Sequence, residues 1–144
     1  MNDNAKILKK AQATAEREIR KMVVVMGNDA LNHFESSFRN QGFTDEGLER
    51  WKPRKRADRT RNKNVRAILT KTGALRRSLK KNYVGQYAIR ISSNVLYANV
   101  HNEGLKSGRG RGFIMPKRQF VGYSGKLNRS LINKFNFKIH SIFY

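Results

Sequence analysis

Apolar residues between Leu8 and Phe38 recur in steps of three and four: Leu8, Ala11, Ala15, Ile19, Met22, Met26, Ala30, Phe34 and Phe38. That spacing predicts one helix from about Asn4 to Phe38 with a single apolar stripe, turning Lys9, Lys10, Glu16, Arg17 and Arg20 away. A rod this long constrains the rest of the chain, which has to cover the stripe or leave it for a partner. The stripe is Ala-rich at its start and aromatic at its end. Two arrangements satisfy it: a helix laid across a sheet, or a helix whose N-terminal half projects and packs on another copy. Gly27 marks a weak point, predicting a kink or a break. Asn40-Gln41-Gly42 predicts the stop, with Gly42 in the left-handed conformation of a helix C-cap.

The remaining elements are short. Phe43 to Arg66 has no apolar period, one proline and a dense basic run, and reads as an exposed arm that is either solvated or in contact with phosphate. Thr72 is a candidate N-cap for a helix whose inner face is Leu75 and Leu79. Asn82 to Ser93 alternates, with Tyr83, Gly85, Tyr87, Ile89 and Ile91 on one face; it predicts a strand pair, or one strand bent at Gly85-Gln86. Val95 to Gly104 reads as a short helix stopped by Gly104, and Leu105 to Gly112 as a Gly/Arg-rich loop. Phe113–Pro116 and Gln119–Gly122 read as a short strand around a turn. A last helix spans about Ser124 to Phe135, and alternation in Phe137 to Tyr144 suggests an extra strand, tucked in or docked on a neighbour. The fold class is α+β: a long N-terminal helix and short helices on a small, mainly antiparallel sheet, with an extended basic loop. One domain accommodates all of it: a helix over 1–40, an arm over 43–67, a core over 68–136 and an extension over 137–144.

Charge is distributed one-sidedly. The 144 residues carry 31 basic and 10 acidic side chains, a formal +21. Up to Asp58 there are 12 basic and 9 acidic residues; beyond it there are 19 and 1, the one being Glu103. A compact monomer with that much like charge repels itself, so a polyanion or an acidic partner surface belongs in its surroundings. Apolar residues make up 38%, so the core is small or completed by neighbours. There is no cysteine, which excludes disulfides and thiolate metal sites. The first residues lack the apolar run of a secretion signal, and no stretch has the length of a membrane span; a soluble protein made in the cytoplasm is expected.

Catalytic chemistry finds little to work with. His33, His101 and His140 are far apart, and none sits in a metal-ligand spacing. His101-Asn102-Glu103 has the order of a metal-dependent nuclease motif, but the further ligands are missing and only His140 follows. With one acid in the last 86 residues, two-metal phosphodiester chemistry lacks its carboxylates. Ser107-Gly108-Arg109-Gly110-Arg111-Gly112 lacks the Lys-Ser/Thr ending of a phosphate-binding loop. No enzyme and no cofactor or metal are expected. Basic clusters at Arg50–Arg66, Arg76–Lys81 and Lys106–Arg118 would bind phosphates without reading sequence. No zinc finger, RNA-recognition signature or exposed stacking platform accompanies them.

The motifs, taken in order, carry a resemblance. Trp51-Lys52-Pro53 precedes the basic loop; Ile68-Leu69-Thr70 and Thr72-Gly73-Ala74-Leu75-Arg76-Arg77-Ser78 follow. Then come Tyr97-Ala98 with His101-Asn102-Glu103-Gly104, and Met115-Pro116-Lys117-Arg118-Gln119-Phe120-Val121-Gly122. This series resembles the tailed-phage virion morphogenesis, or tail-completion, family, over roughly residues 15 to 135. Asn102 stands where many relatives have Gln, and Gln119 where Pro is common. The resemblance implies a structural virion part: a ring, commonly a hexamer, at the head–tail junction, made in the host cytoplasm, that ends the tail or joins it to the head. Its implied partners are further copies of itself, neighbouring neck, portal or adaptor and tail-tube proteins, and genomic DNA passing nonspecifically through the lumen; no membrane is implied. On that reading Trp51, Thr72, Gly73, Leu75, Arg76, Tyr97, His101, Gly104, Pro116, Arg118 and Phe120 are scaffold positions. Arg54, Lys55, Arg56, Arg59, Arg61, Lys63, Arg109 and Arg111 are candidates to line the lumen or dock on acidic surfaces. The alternative is a stand-alone basic protein that binds nucleic acid without sequence specificity.

Overall fold

A computed structural model of the chain describes residues 3–60 and 64–143. Helix α1 runs unbroken from Asp3 to Asn40, about 57 Å of rod at 1.5 Å per residue. It is followed by β1 (Gly42–Thr44), β2 (Leu48–Arg50), α2 (Ala74–Ser78), β3 (Lys80–Tyr83), β4 (Ile89–Ser92), α3 (Ala98–Glu103), β5 (Lys106–Ser107), β6 (Phe113–Ile114) and α4 (Gly125–Phe143). The α+β class holds. The strands form three separate two-stranded antiparallel ladders, β1–β2, β3–β4 and β5–β6, in place of the one small sheet expected. Strands of two to four residues cannot build a wider surface, so α1 provides the platform.

The core sits at the C-terminal end of α1. Phe34 and Phe38 meet Phe43, Trp51, Leu75, Leu79, Ala98 and Phe120, all buried. Phe38 is central: its ring meets Trp51 edge-on at 5.6 Å and Phe120 at 5.3 Å. The other end of α1 projects, with Ile7 and Leu8 64% and 70% exposed.

Several local expectations are corrected. Gly27 does not kink α1; it is buried, and a Cβ there would fall on the side chain of Ile89. It is glycine so that β4 can approach the helix. The left-handed residue after α1 is Gln41, at φ 53, while Gly42 lies in β1 against the backbone of Glu49 and Arg50. Gln41 is held there by its side chain, whose Nε2 donates to the Phe38 and Ile68 carbonyls at 2.6 and 3.2 Å. The stretch from Phe43 is not wholly an exposed arm, since it opens with the β1–β2 hairpin and buries Phe43 and Trp51. Gln119–Gly122 is not a strand. Tyr83 and Tyr87 are exposed, whereas Ile91, assigned to the same face, packs on the core.

Phe137 onward is not a strand either, because α4 continues to Phe143. An alternating run this short does not separate strand from helix. Lys134 reaches Asp29 at 2.6 Å and Lys138 reaches Glu18 at 3.2 Å, pinning successive turns of α4 to α1. The start of α4 is where expected: Ser124 Oγ accepts the Leu127 amide at 3.1 Å, and Asp45 Oδ1 accepts that of Gly125 at 2.6 Å. Arg129 also pairs with Glu46, tying the β1–β2 turn to the same helix.

Candidate functional site

The motif residues converge on the crossing of two extended segments, one following β2 and the other preceding α4. Trp51 Nε1 donates to the Gln119 carbonyl at 2.7 Å. Next along, Arg118 Nε and Nη2 both donate to the Lys52 carbonyl, at 3.3 and 3.2 Å, and the Arg118 amide donates to the His101 carbonyl at 2.7 Å. Asn102, from α3, closes the arrangement. Its Oδ1 accepts the amides of Phe120 and Val121 at 2.9 and 3.0 Å, and its Nδ2 donates to the Val121 carbonyl at 3.0 Å. A strand neighbour would normally satisfy those backbone groups; here one amide side chain does so.

The other positions named from the motifs have their own surroundings. Leu75 and Phe120 are core residues, and Pro116 is half-buried. Thr72 Oγ1 accepts the Ala74 amide at 3.3 Å, while Gly73 at φ 68 stands at the cap position of α2 itself. Gly104 ends α3 at φ 71; a Cβ there would lie 2.9 Å from the Lys117 amide nitrogen. Arg76 is exposed beside Asn32, Glu35 and Arg39. Tyr97 lies edge-on to His101 at 5.9 Å. Burial, and then the charge of Arg118, push the His101 imidazole below its ordinary pKa, so it is held neutral.

The basic candidates divide. Arg54 is half-buried and works inside the fold: Nη1 and Nη2 donate to the Arg66 and Ala67 carbonyls at 2.7 and 3.2 Å, fastening the two ends of the basic segment together. Lys55 and Arg56 are exposed, and Arg59 pairs with Val65 in an isolated bridge. Arg61 and Lys63 lie outside the described residues. Arg109 and Arg111 are exposed in the turn between β5 and β6. The base of that hairpin faces the start of the basic segment across a cleft of about 1020 Å³, with Lys52, Arg54 and Lys55 on one wall and Phe113, Ile114 and Lys117 on the other. Glu103 is the one acid on its lining.

Among the described residues, no group of His, Cys, Asp or Glu could hold a metal ion, and no helix is long and apolar enough to cross a membrane. Asn102 escaped the sequence reading as a positioning residue. Its signal was its place inside the His101-Asn102-Glu103-Gly104 motif on a short helix.

What these features define is a scaffold with a basic cleft, in which the motif residues hold backbone segments together. The model of the phage virion morphogenesis family matches residues 2–136 of the 144, and the chain belongs to that family. Its role is in the assembly of the phage virion. No curated protein and no solved structure matches the chain.

Proposed function

We propose that the protein is a structural component that closes into a ring at the head–tail junction, finishing the tail or joining it to the head. The observation that carries this reading is surface area. The chain exposes 10765 Å², whereas a compact monomer of 16.7 kDa is expected to expose about 7,600 Å². The excess, roughly 3,000 Å², marks a chain whose projecting parts are not folded back onto its own core. It is apolar where the fold projects: Ile7 and Leu8 on α1, Phe113 and Ile114 on the β5–β6 hairpin, and Phe137 on α4 are all exposed. Neighbouring copies that cover these groups supply the hydrophobic burial a single chain lacks.

In such a ring the exposed cations Lys55, Arg56, Arg109 and Arg111 are repeated around one axis. They give nonspecific attraction to a DNA path, or to acidic neighbouring rings, without base readout. The role is structural rather than catalytic. A phage carrying a nonsense mutation in this gene tests the proposal: it is expected to accumulate filled heads and unjoined or irregular tails. Normal, infectious virions without the protein would contradict it. The stand-alone nucleic-acid-binding reading makes the opposite prediction, a protein absent from the virion.

A further inference from the structure

Arg118 is a cation that the chain buries without giving it an anion. It is 7% exposed, and none of the ion pairs among the described residues includes it. Its partners are neutral: the Lys52 carbonyl takes Nε and Nη2, and Nη1 reaches only the Met115 sulfur at 4.0 Å. A lysine so placed could shed its proton, but a guanidinium keeps its charge. Arg118 lines a cavity of about 270 Å³ together with Arg54, Lys71, Tyr97 and His101. The acid on that lining, Asp58, is engaged with Arg66 at 3.4 Å. His101 Nδ1 is buried with no hydrogen-bond partner. Three cations thus share one small cavity with a single carboxylate already in use.

We propose that this cavity receives one carboxylate, an Asp or Glu side chain presented by another protein molecule. An N–H group of Arg118 that no protein oxygen accepts and the exposed ammonium of Lys71 supply donors for it, beside the His101 ring on the cavity wall. A side-chain carboxylate fits a recess of this size. A duplex backbone does not, and its phosphates would meet the exposed Lys55 and Arg56 instead. The site belongs to the single chain and stands whether or not the chain closes into a ring.

The test is a titration of the whole protein with N-acetylglutamate amide in potassium chloride of matched ionic strength, following the His101 imidazole ¹⁵N shifts. A saturable shift is expected, with affinity weakened roughly tenfold in Lys71→Gln and in Arg118→Gln, the loss typical of a hydrogen bond to a charged group. Lys71 is exposed, so its variant keeps the test valid if Arg118→Gln fails to fold. The proposal is overturned if no saturation is seen beyond the chloride control, or if Lys71→Gln binds like the wild type. It is equally overturned if inorganic phosphate binds more tightly than the glutamate probe, or if a short DNA duplex produces the same His101 shift.

Discussion

The indole N–H of Trp51 donates to the backbone carbonyl of Gln119 at 2.7 Å, joining segments 68 residues apart in the chain. The same ring packs edge-on against Phe38, so one side chain fixes the start of the basic segment to both the core and the Arg118–Phe120 segment. Trp51→Phe keeps most of the packing and leaves the Gln119 carbonyl unpaired, an expected cost of about 1–3 kcal/mol. Trp51→Ala adds a cavity and is expected to cost about 3–5 kcal/mol. Denaturant unfolding of the two variants checks both values; a Trp51→Phe variant as stable as the wild type would show that the hydrogen bond contributes nothing.

Asn102 satisfies three backbone groups of Phe120 and Val121 with one side chain. Asn102→Ala is expected to destabilise by about 2–4 kcal/mol, since more than one partly buried polar group loses its partner. Asn102→Asp keeps the two accepted bonds and loses the donated one, so it should fall between alanine and wild type. Amide exchange at Phe120 and Val121 reads this directly: it should quicken in the alanine variant before global unfolding does.

Gly27→Ala would raise intrinsic helix propensity by about 1 kcal/mol, yet its Cβ would fall on Ile89. Overpacking outweighs propensity here, and a net loss of about 1–2 kcal/mol is expected. Combining it with Ile89→Val removes part of the clash, so the double variant should be more stable than the sum of the singles. Strict additivity would mean that α1 and β4 do not meet at this point.

Acid should loosen the packing of α4 on α1. Hydrogen bonds from Lys21 and then Lys138 hold the Glu18 carboxyl down to about 2, from an ordinary 4.5. A lowered carboxyl pKa contributes stability above 4.5 that is lost as the pH falls from there through about 2. The neutral His101, pushed below its ordinary 6.5, likewise contributes fully above 6.5 and less as the pH drops. Denaturation midpoints across this range should show a shallower acid limb in Glu18→Gln. High salt should flatten the wild-type limb as well, because the Glu18 pairs are accessible to screening.

Periodicity made α1 legible, because eight successive steps of three or four residues from Leu8 to Phe38 leave no other element. It failed for Phe137 onward, where an alternating run is too short to distinguish strand from helix and long-range pairs with Glu18 and Asp29 decide. Gly27 and Gln41 were misread because helix-breaking and capping are judged locally, whereas Ile89 and Ile68 act on them from far along the chain. Phe43 hid at the start of a stretch that read as an exposed arm, since a strand of three residues has no measurable period. The charge of Arg54 read as surface; only its partners, backbone carbonyls, reveal it as an interior fastening. Gly104 was readable because a glycine that ends a short helix has one common purpose.

The ring account rests most directly on the mass of the assembled protein in solution. Light scattering on the full chain at near-physiological salt is predicted to give a discrete closed oligomer, a multiple of 16.7 kDa such as the sixfold one. Ile7→Asp with Leu8→Asp, on the exposed end of α1, is predicted to shift that mass toward the protomer without unfolding the core. A wild-type protein that stays at 16.7 kDa at every concentration would contradict the account.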